Sequence, residues 1–258
     1  MNPQTNSTAT RLRIWQQNLN KSNKAQFNLI NSPLHNEWDV LLLQEPYIDS
    51  FGNTRANHHW QVIYPSTHLA NSSVKRSIIL VNTRLDTNSW SQIRVEGLND
   101  ITAIQISHPH GKTSIFNIYN DCNNSDMMTV LDNYLQKECN TILGTEVNSM
   151  MWCGDFNHHH PMWDKECNSH LFTATAHHAA EELISLLADH HMVMTLPRRI
   201  PTMQSMSTKK LDSGQQCILH GQYVRHGDEM RHEPAITRAR HRPHANPHSN
   251  RYTSSSCH

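Results

Sequence analysis

The sequence predicts an α/β fold in which β-sheets are covered by helices. Between Arg11 and Leu196, short apolar segments typical of strands alternate with amphipathic segments typical of helices. The strand-like segments outnumber the helical ones. With 258 residues, the chain suits one large domain or two small ones and can bury a sizeable core. Many strands with a few long helices in mixed order favour sheets packed against helices.

Eight segments have the pattern of strands. The run from Val40 to Leu43 is continuously apolar, as expected of a strand buried on both faces. From Ile101 to Ser107, apolar residues alternate with polar ones, as expected of a half-buried strand. In chain order, the predicted strands cover residues 12–17, 40–43, 60–64, 77–81, 101–107, 114–119, 150–153 and 192–196.

Three segments are predicted to be helical. The clearest covers 176–187, where apolar residues recur at the spacing of one helix face: Ala176, Ala179, Ala180, Leu183, Ile184 and Leu187. Ser125 is a candidate N-cap for a second helix, which carries Met127, Val130, Leu131, Tyr134 and Leu135. Residues 24–31 form the third predicted helix.

The chain divides into regions of opposite charge. Residues 1–196 contain 12 Lys and Arg against 18 Asp and Glu, whereas residues 197–258 contain 10 against 4. After residue 210 the apolar periodicity disappears, and Pro234, Pro243 and Pro247 interrupt the chain. We therefore expect a disordered N-terminus at 1–10, a folded domain at 11–209 and a disordered, basic, His-rich tail at 210–258.

The sequence lacks the signals of membrane insertion and secretion. No segment approaches the roughly 18 consecutive apolar residues of a membrane span. The first ten residues, MNPQTNSTAT, lack the apolar centre of a signal peptide. The six Cys show no CxxC pairing and are interpreted as reduced thiols. We expect an intracellular protein without a membrane partner, and the sequence leaves its oligomeric state open.

Four short polar clusters follow predicted strands. They are Asn18-Leu19-Asn20, Gln44-Glu45-Pro46, Tyr119-Asn120-Asp121 and Gly154-Asp155-Phe156-Asn157. Active sites of α/β proteins gather at strand ends, because loops there bring distant side chains together. A carboxylate such as Glu45 is costly to bury unless it is paired or binds a cation. An oxygen-rich set of Asn, Glu and Asp side chains suits Mg²⁺.

The same residue types suit the hydrolysis of a phosphodiester. That reaction needs a metal to neutralise developing charge, a positioned water and a base. Asp155 is the candidate to orient or deprotonate the water, Asn157 to hold a phosphate oxygen and Tyr119 to donate to the phosphate. Each residue has a structural alternative, with Glu45-Pro46 ending a strand and Asp155 occupying a turn. The occurrence of four such clusters in order favours a catalytic site.

The motifs together resemble the endonuclease/exonuclease/phosphatase family. The segments that carry the resemblance are WQQNLN at 15–20, LQEPY at 43–47, FNIYN at 116–120 and GDFN at 154–157. Two further segments, NHHHPMWD at 157–164 and LPRRIPT at 196–202, resemble the branch found in non-LTR retrotransposons, especially fungal ones. The resemblance covers roughly residues 11–210.

The resemblance implies a four-layer α/β/β/α sandwich of the DNase I type that nicks DNA. It implies Mg²⁺ as the cofactor, with Mn²⁺ as a substitute, DNA as the partner and the nucleus as the location. By position, Asn18 matches the Asn on the metal and phosphate side, and Glu45 matches the main metal ligand. Tyr119 matches the active-site Tyr, while Asp155 and Asn157 match the water-orienting Asp and its Asn partner.

Two further positions are less direct. Asn20 sits where a number of relatives carry an Asp near the metal, so its contribution is weaker. The three His at 158–160 look like a metal cluster, but a His-His-Pro after GDFN is part of the loop motif in this branch. We therefore expect the three His to position the loop rather than to bind metal.

Two motifs of the family are absent from the last part of the chain. One is an Asp on a late strand, within an Asn-Trp-Thr-Arg-x-Asp-Asn-Val-Phe segment. The other is a terminal Ser/Thr-Asp-His, whose His contacts the scissile phosphate. Read one base later, the codons for residues 210–219 permit Asn-Trp-Thr-Arg-Val-(Asn/Ser)-Asn-Val-Phe. In the same frame, residues 241–249 permit Thr-Asp-His-Met-Pro-Ile-Leu-Thr.

This coincidence predicts a frameshift near Lys209–Lys210 that replaced the last strands of the domain. The first motif does not recover its Asp even in the shifted frame, which indicates a decayed copy with weak or no activity. Two alternatives remain open. One is a phosphoesterase of the same fold that acts on a small phosphate or a lipid head group. The other is a non-catalytic nucleic-acid binder that uses the basic residues after 196 for phosphate contacts.

Overall fold

Two β-sheets of the protein pack against each other. The computed structural model describes residues 11–68, 75–121, 126–144, 148–164 and 166–195, and also 203–204, 211–212 and 216–223. The first sheet contains β1 (Ile14–Asn18), β2 (Val40–Gln44), β3 (Trp60–Ile63) and β4 (Ser77–Asn82). Their order is β1-β2-β4-β3, with β1 parallel to β2 and the other pairs antiparallel.

The second sheet has six strands. It contains β5 (Trp90–Ile93), β6 (Ile101–His108), β7 (Gly111–Tyr119), β8 (Asn148–Asp155) and β9 (Val193–Met194). The short strands β10 (Met203–Gln204) and β11 (Leu211–Asp212) pair only with each other within the described residues. The strand β12 (Gln216–Tyr223) completes the second sheet, whose order is β5-β6-β7-β8-β12-β9. In this sheet β7 and β8 are parallel and the other pairs are antiparallel.

In the part of the chain that the structure describes, four helices cover the outer faces of the sheets. They are α1 (Asn23–Ile30), α2 (Leu34–Glu37), α3 (Asp126–Leu143) and α4 (Ala174–Asp189), and a 3₁₀ helix covers Glu166–Leu171. The Ser22 hydroxyl caps α1 by accepting from the Ala25 amide at 3.2 Å, and Thr173 caps α4 in the same way. No helix in the described part of the chain is long and apolar enough to span a membrane.

The hydrophobic residues form three clusters, one for each layer boundary. The inter-sheet cluster includes Val40, Leu42, Ile79, Ile104, Ile115 and Met151. A second cluster joins the outer face of the first sheet to α1, and a third joins the outer face of the second sheet to α3 and α4. These boundaries define the four-layer α/β/β/α sandwich expected from the sequence.

The predicted strands and helices are found, with ends shifted by a few residues. Among the strands the largest shift is in β7, which starts at Gly111 because the hairpin with β6 extends to the His108–Gly111 pair. The α3 helix continues past Leu135, the last predicted residue, to Leu143. The elements that were not predicted are β5, α2, the 3₁₀ helix and the strands β10 to β12. The candidate cap Ser125 lies outside the described residues. Cys153 is a free, buried thiol, and the side chains of the other five Cys lie outside the description.

Two strands, β11 at residues 211–212 and β12 at 216–223, lie inside the segment expected to be a disordered tail. β12 pairs along the whole length of β8, from Gln216 opposite Asp155 to Tyr223 opposite Asn148. The segment contains Cys217-Ile218-Leu219 and no Pro, so its backbone is able to satisfy the hydrogen-bonding groups that the edge of β8 would otherwise expose. At least one late strand is therefore present, and residues 1–10 and 224–258 lie outside the described residues.

Gly154 is required by the close approach of β7 and β8. A Cβ built on Gly154 would lie 1.9 Å from the carbonyl oxygen of Ile118, its partner in the parallel ladder. Gly154→Ala is therefore expected to lower the free energy of unfolding by about 3 kcal/mol, because relief of the clash requires the ladder to shift. Urea unfolding monitored by circular dichroism measures this change.

Gly97→Ala is the matched control for that substitution. A Cβ on Gly97 meets no atom within 4 Å, so only the positive φ of 79° opposes it. The expected loss at Gly97 is about 1 kcal/mol. Equal losses at the two positions would contradict the close approach described at Gly154.

Candidate active site

Two pairs of parallel strands end at a shared edge and bring the polar clusters together. In the first sheet, Asn18 at the end of β1 lies opposite Gln44 at the end of β2, and Glu45 follows directly. In the second sheet, Tyr119 at the end of β7 lies opposite Asp155 at the end of β8. Parallel strands place their carboxyl ends on the same side, so residues far apart in the chain meet here.

Asp155 is the most buried acid of the site, with 5% of its surface exposed. Its Oδ2 accepts from Asn18 Nδ2 at 2.8 Å, and its Oδ1 accepts from the Asn157 amide at 3.3 Å. Burial raises the pKa of Asp155 to about 6, and the nearby charge of Glu45 also raises it, whereas the two hydrogen bonds lower it. Asp155 therefore titrates close to neutral pH, where a carboxylate is an effective base.

Asn18 is held in one orientation by its neighbours. Its Oδ1 accepts from the backbone amide of Asn20 at 2.8 Å, so its amide nitrogen faces Asp155. By the family resemblance, Asn20 occupies the position at which a number of relatives carry an Asp near the metal. In this structure, Asn20 contributes a backbone group that orients Asn18.

Glu45 and Tyr119 form the second contact of the site. The Glu45 carboxylate lies near the Tyr119 hydroxyl, where it raises the pKa of the phenol, and Lys21 Nζ lies 3.5 Å from Glu45 Oε1. Burial raises the pKa of Tyr119 to about 12, with further increases from the charges of Glu45 and Asp155 and a decrease from Arg76. The phenol therefore stays protonated at neutral pH and is available as a hydrogen-bond donor.

The loop after Asp155 is closed by its own side chains. Asn157 Nδ2 donates to the Asn120 carbonyl, and Asn120 Nδ2 lies 3.0 Å from His158 Nε2. Trp163 Nε1 donates to the His158 carbonyl at 2.8 Å. Burial lowers the pKa of His158 to about 4, so this imidazole is neutral at physiological pH. Its contacts fit the structural role expected from the sequence.

The next two His also hold the loop. The buried Asp164 accepts from the His160 amide at 3.0 Å, and His159 Nδ1 lies 3.2 Å from the same oxygen. The His160 ring packs against Trp163, with centroids 5.1 Å apart. These contacts fix the shape of the loop that carries Asn157.

Backbone strain is concentrated at the site. Among the described residues, five that are not Gly have a positive φ, and four of them lie here: Asn20, Lys21, Glu45 and Asn157. Such conformations are costly unless the surroundings impose them, and they are common at functional sites. The Lys21 amide donates to the Glu45 carbonyl at 2.8 Å, and the Glu45 amide donates to the Arg76 carbonyl at 2.8 Å. These bonds hold the strained segments in place.

A buried polar network lies beneath the site and joins the two sheets. Gln44 accepts from Gln16 Nε2 at 2.7 Å and donates to Asn117 Oδ1. Asn117 Nδ2 donates to the carbonyls of Leu43 at 3.0 Å and Ile78 at 2.8 Å. The sequence motifs include Gln44 and Asn117 but assign neither of them an individual role. The sequence feature that could have identified them is an amide side chain inside or at the end of an otherwise apolar strand.

Arg76 is a third residue whose role the sequence did not indicate. Its guanidinium donates to both carboxylate oxygens of Asp100, at 2.8 and 2.6 Å, and also to Asp121. Its Cζ lies over the Tyr119 ring, 5.2 Å from the centroid. Arg76 therefore supports Tyr119 from one side, while its carbonyl fixes the backbone of Glu45. A single Arg before an apolar strand gave no sequence signal for this role.

The side chains of the site fit a divalent cation. Glu45 and Asp155 lie close enough for the charge of one to raise the pKa of the other, and a cation would offset this repulsion. Within the described residues no group of three or more His, Cys, Asp or Glu is arranged to hold a metal ion. Mg²⁺ needs only one or two carboxylates when substrate phosphate supplies other ligands, so the donor set of Glu45 and Asn18 remains suitable.

The layers, the strand order and the shared edge define the DNase I-like architecture. The sequence profile of the endonuclease-reverse transcriptase family matches residues 113–213. That match includes Tyr119, Asp155 and Asn157 and extends into β11. The resemblance inferred from the sequence motifs is therefore confirmed. No curated protein sequence matches the chain significantly.

Solved structures with this fold include endonucleases of two kinds. The endonuclease domain of TRAS1, a telomere-specific non-LTR retrotransposon, is 17% identical, with a TM-score of 0.60 over 81% of this chain and 84% of that one. The AP endonuclease LMAP from Leishmania major is 11% identical, with a TM-score of 0.61 over 81% of this chain and 79% of that one. At these identities the likeness establishes the fold.

Proposed function

We propose that this chain is the DNA-nicking endonuclease domain of a non-LTR retroelement and that it hydrolyses phosphodiester bonds with Mg²⁺. The observation that carries the proposal is the pairing of Asp155 with Asn18 and Asn157 beside Glu45 and Tyr119. The matched family and the retrotransposon endonuclease neighbour support the choice of DNA as the substrate. Such a protein would act in the nucleus.

In this proposal Asp155 is the general base. Its carboxylate takes a proton from the attacking water, the water oxygen bonds to phosphorus, and a bond from phosphorus to a sugar oxygen breaks. The departing oxygen then receives a proton from solvent. A pKa near 6 leaves most Asp155 side chains ionised at pH 7 and still basic enough to accept the proton. Asn18 and Asn157 hold the carboxylate in a fixed orientation.

The remaining side chains bind the phosphate and the metal. Tyr119 would donate from its protonated hydroxyl to a phosphate oxygen, and the Asn157 side chain, whose Nδ2 also donates to the Asn120 carbonyl, would contact another. Glu45 and Asn18 would hold Mg²⁺ or Mn²⁺. When bound, the cation neutralises charge that develops on the phosphate. Lys21, which lies beside Glu45, contributes positive charge at the entrance.

The proposal includes a low rate for this particular polypeptide. The terminal Asp-His motif of the family is absent from residues 210–258, and the removal of one such transition-state contact usually costs about 10²–10³ in rate. β12 pairs with β8, so the sheet is complete at this position. The missing motif is therefore expected to lower the rate of the reaction rather than to remove a strand.

A plasmid-nicking assay tests the proposed activity. Supercoiled plasmid incubated with the full chain and Mg²⁺ is expected to convert slowly to the open-circular form, and EDTA is expected to abolish the conversion. Nicking that persists in EDTA would contradict metal dependence. Rapid nicking, comparable with that of a competent enzyme, would contradict the proposed decay.

A further inference from the structure

The loop that follows Glu45 carries an exposed aromatic side chain at its tip. Phe51 is 86% exposed, the largest value among the exposed large apolar side chains of the described residues. An isolated bridge between Ile48 and Thr54 closes the loop into a small hairpin. A single exposed phenyl ring is common on protein surfaces, and Phe51 is distinguished by the hydrogen-bonded turn that presents it.

The tip that presents Phe51 is held by hydrogen bonds. Asp49 Oδ1 accepts from the amides of Phe51 and Asn53, each at 2.9 Å. The Asp49 amide donates to the Asn53 carbonyl at 2.8 Å, and the Gly52 amide donates to the Asp49 carbonyl at 3.0 Å. Gly52 takes a φ of 82°, which suits this turn. The position of Phe51 is therefore fixed before any partner binds.

The base of the hairpin is attached to two other elements. Buried Gln26 on α1 accepts from the Tyr47 amide at 2.8 Å and donates to the Arg55 carbonyl at 2.8 Å. The Thr54 amide donates to the Tyr64 hydroxyl at 2.9 Å. A side chain on a rigid support loses little entropy when it binds, so its contacts contribute more fully to affinity.

The charge around the hairpin suits a polyanion. Exposed Arg55 lies over the Tyr47 ring, with its Cζ 5.3 Å from the centroid. Lys21, also exposed, lies 3.5 Å from Glu45. The acid nearest the tip, Asp49, already accepts two backbone hydrogen bonds. The positive groups would contact phosphates, while the phenyl ring offers a face for stacking with a base.

The tip is within reach of the DNA that would occupy the site. Phe51 follows Glu45 by six residues, which span at most about 20 Å when fully extended. With a rise of 3.4 Å per nucleotide, this distance corresponds to about six base pairs. The tip therefore lies no farther from Glu45 than about six base pairs of a bound duplex.

We infer that Phe51 stacks on a nucleobase flanking the cleaved phosphodiester and that the hairpin from Ile48 to Thr54 is a DNA-binding element. The inference rests on the proposed function, since it takes DNA as the substrate. In a duplex the ring must enter between two base pairs, so the contact includes the cost of unstacking one step, and it tolerates any sequence because every base has an aromatic face. The hairpin would therefore contribute affinity and register rather than direct sequence readout.

Binding measurements in EDTA separate this contact from cleavage. The anisotropy of a fluorescein-labelled 20-base-pair duplex gives the dissociation constant of the full chain. Phe51→Ala is expected to weaken binding about 5- to 100-fold, the range seen when one base–aromatic stack is removed. Phe51→Trp should retain affinity, and Phe51→Leu, which keeps apolar area without an aromatic face, should resemble Phe51→Ala.

Phe27→Ala is the matched control. Phe27 is also a phenylalanine, 52% exposed, but it lies on α1 outside the hairpin. The Phe27→Ala variant should bind DNA as the unmodified chain does. The loss of affinity caused by Phe51→Ala should persist when the salt concentration is raised. The contribution of a phosphate contact, such as that expected of Lys21, should instead decrease as salt is added. A 2-aminopurine placed in the duplex should change its fluorescence on binding only when residue 51 is aromatic.

The possible outcomes distinguish the two proposals. If the unmodified chain binds the duplex and Phe51→Ala binds equally well, the hairpin inference is wrong and the proposed nuclease function stands. If the unmodified chain does not bind DNA at low salt, both are wrong. Thermal melting of Phe51→Ala should match that of the unmodified chain, because the side chain is exposed.

Discussion

Shifting the reading frame by one base after Lys209 is expected to raise the rate of plasmid nicking by about 10²–10³. The shifted frame permits the Asp-His motif that this chain lacks. A donor aimed at the developing charge on the phosphate contributes roughly 10²–10³ in rate. The measurement is the initial rate of open-circle formation with Mg²⁺ at equal protein concentration.

The structure sharpens this prediction at one position. Gln216 pairs with Asp155 across the β8–β12 ladder. In the shifted frame, the residue that the family carries as Asp falls at 215, one position before Gln216, and the codons there permit only Asn or Ser. A second variant of the shifted chain, with Asp at 215, is therefore expected to be faster still.

The control for frame restoration is the shifted chain with its new His changed to Ala. Its rate should return to that of the unshifted chain. If the restored chain and this variant nick equally fast, the gain came from folding and not from the phosphate contact. The nucleotide sequence provides an independent check, since the hypothesis fails if the shifted frame after Lys209 lacks Asp-His.

Much of the site could be predicted because its residues stand at the ends of strands that have clear patterns. Val40 to Leu43 is so apolar that the polar residues after it are conspicuous, and the same holds for Gly154-Asp155 after the β8 segment. Parallel pairing then brings Asn18 next to Gln44 and Tyr119 next to Asp155. Local pattern and strand order were sufficient for these positions.

Other residues act through partners that only the tertiary structure supplies. Arg76 contacts Asp100 and Asp121, which follow it by 24 and 45 residues, and nothing in its neighbours indicates those pairs. β12 was missed for a related reason. Its composition is weakly strand-like, and the edge of β8 provides the hydrogen-bonding partner that makes it a strand.

Asp155→Asn in the frame-restored chain is expected to reduce the nicking rate by 10²-fold or more, because a general base contributes about 10²–10⁴. The Asn side chain is nearly the same size and retains one acceptor oxygen, so the fold should survive. Asp86→Asn, on an exposed turn between β4 and β5, is the matched control and should leave the rate unchanged.

The same variant should change stability in a pH-dependent way. Burial raises the pKa of Asp155 to about 6, above the roughly 3.9 of an unfolded Asp. The folded chain therefore binds this proton more tightly, and the stability that the protonated group contributes below pH 4 is lost as pH rises through 6. A shift of about two pKa units corresponds to roughly 3 kcal/mol.

Asn at 155 removes this titration but places its amide nitrogen against Asn18 Nδ2, which costs about 1 kcal/mol for the lost hydrogen bond. At pH 8, where ionised Asp155 is unfavourable, the variant should be more stable than the parent by about 2 kcal/mol. At pH 3, below both pKa values, the hydrogen-bond loss should dominate and the variant should be the less stable protein. His158, whose pKa is lowered, titrates in both proteins and cancels from the difference. Urea unfolding at the two pH values measures the difference in the free energy of unfolding between the variant and its parent. If this difference has the same sign and size at both pH values, Asp155 is not a buried acid with a raised pKa, as a general base at this site requires.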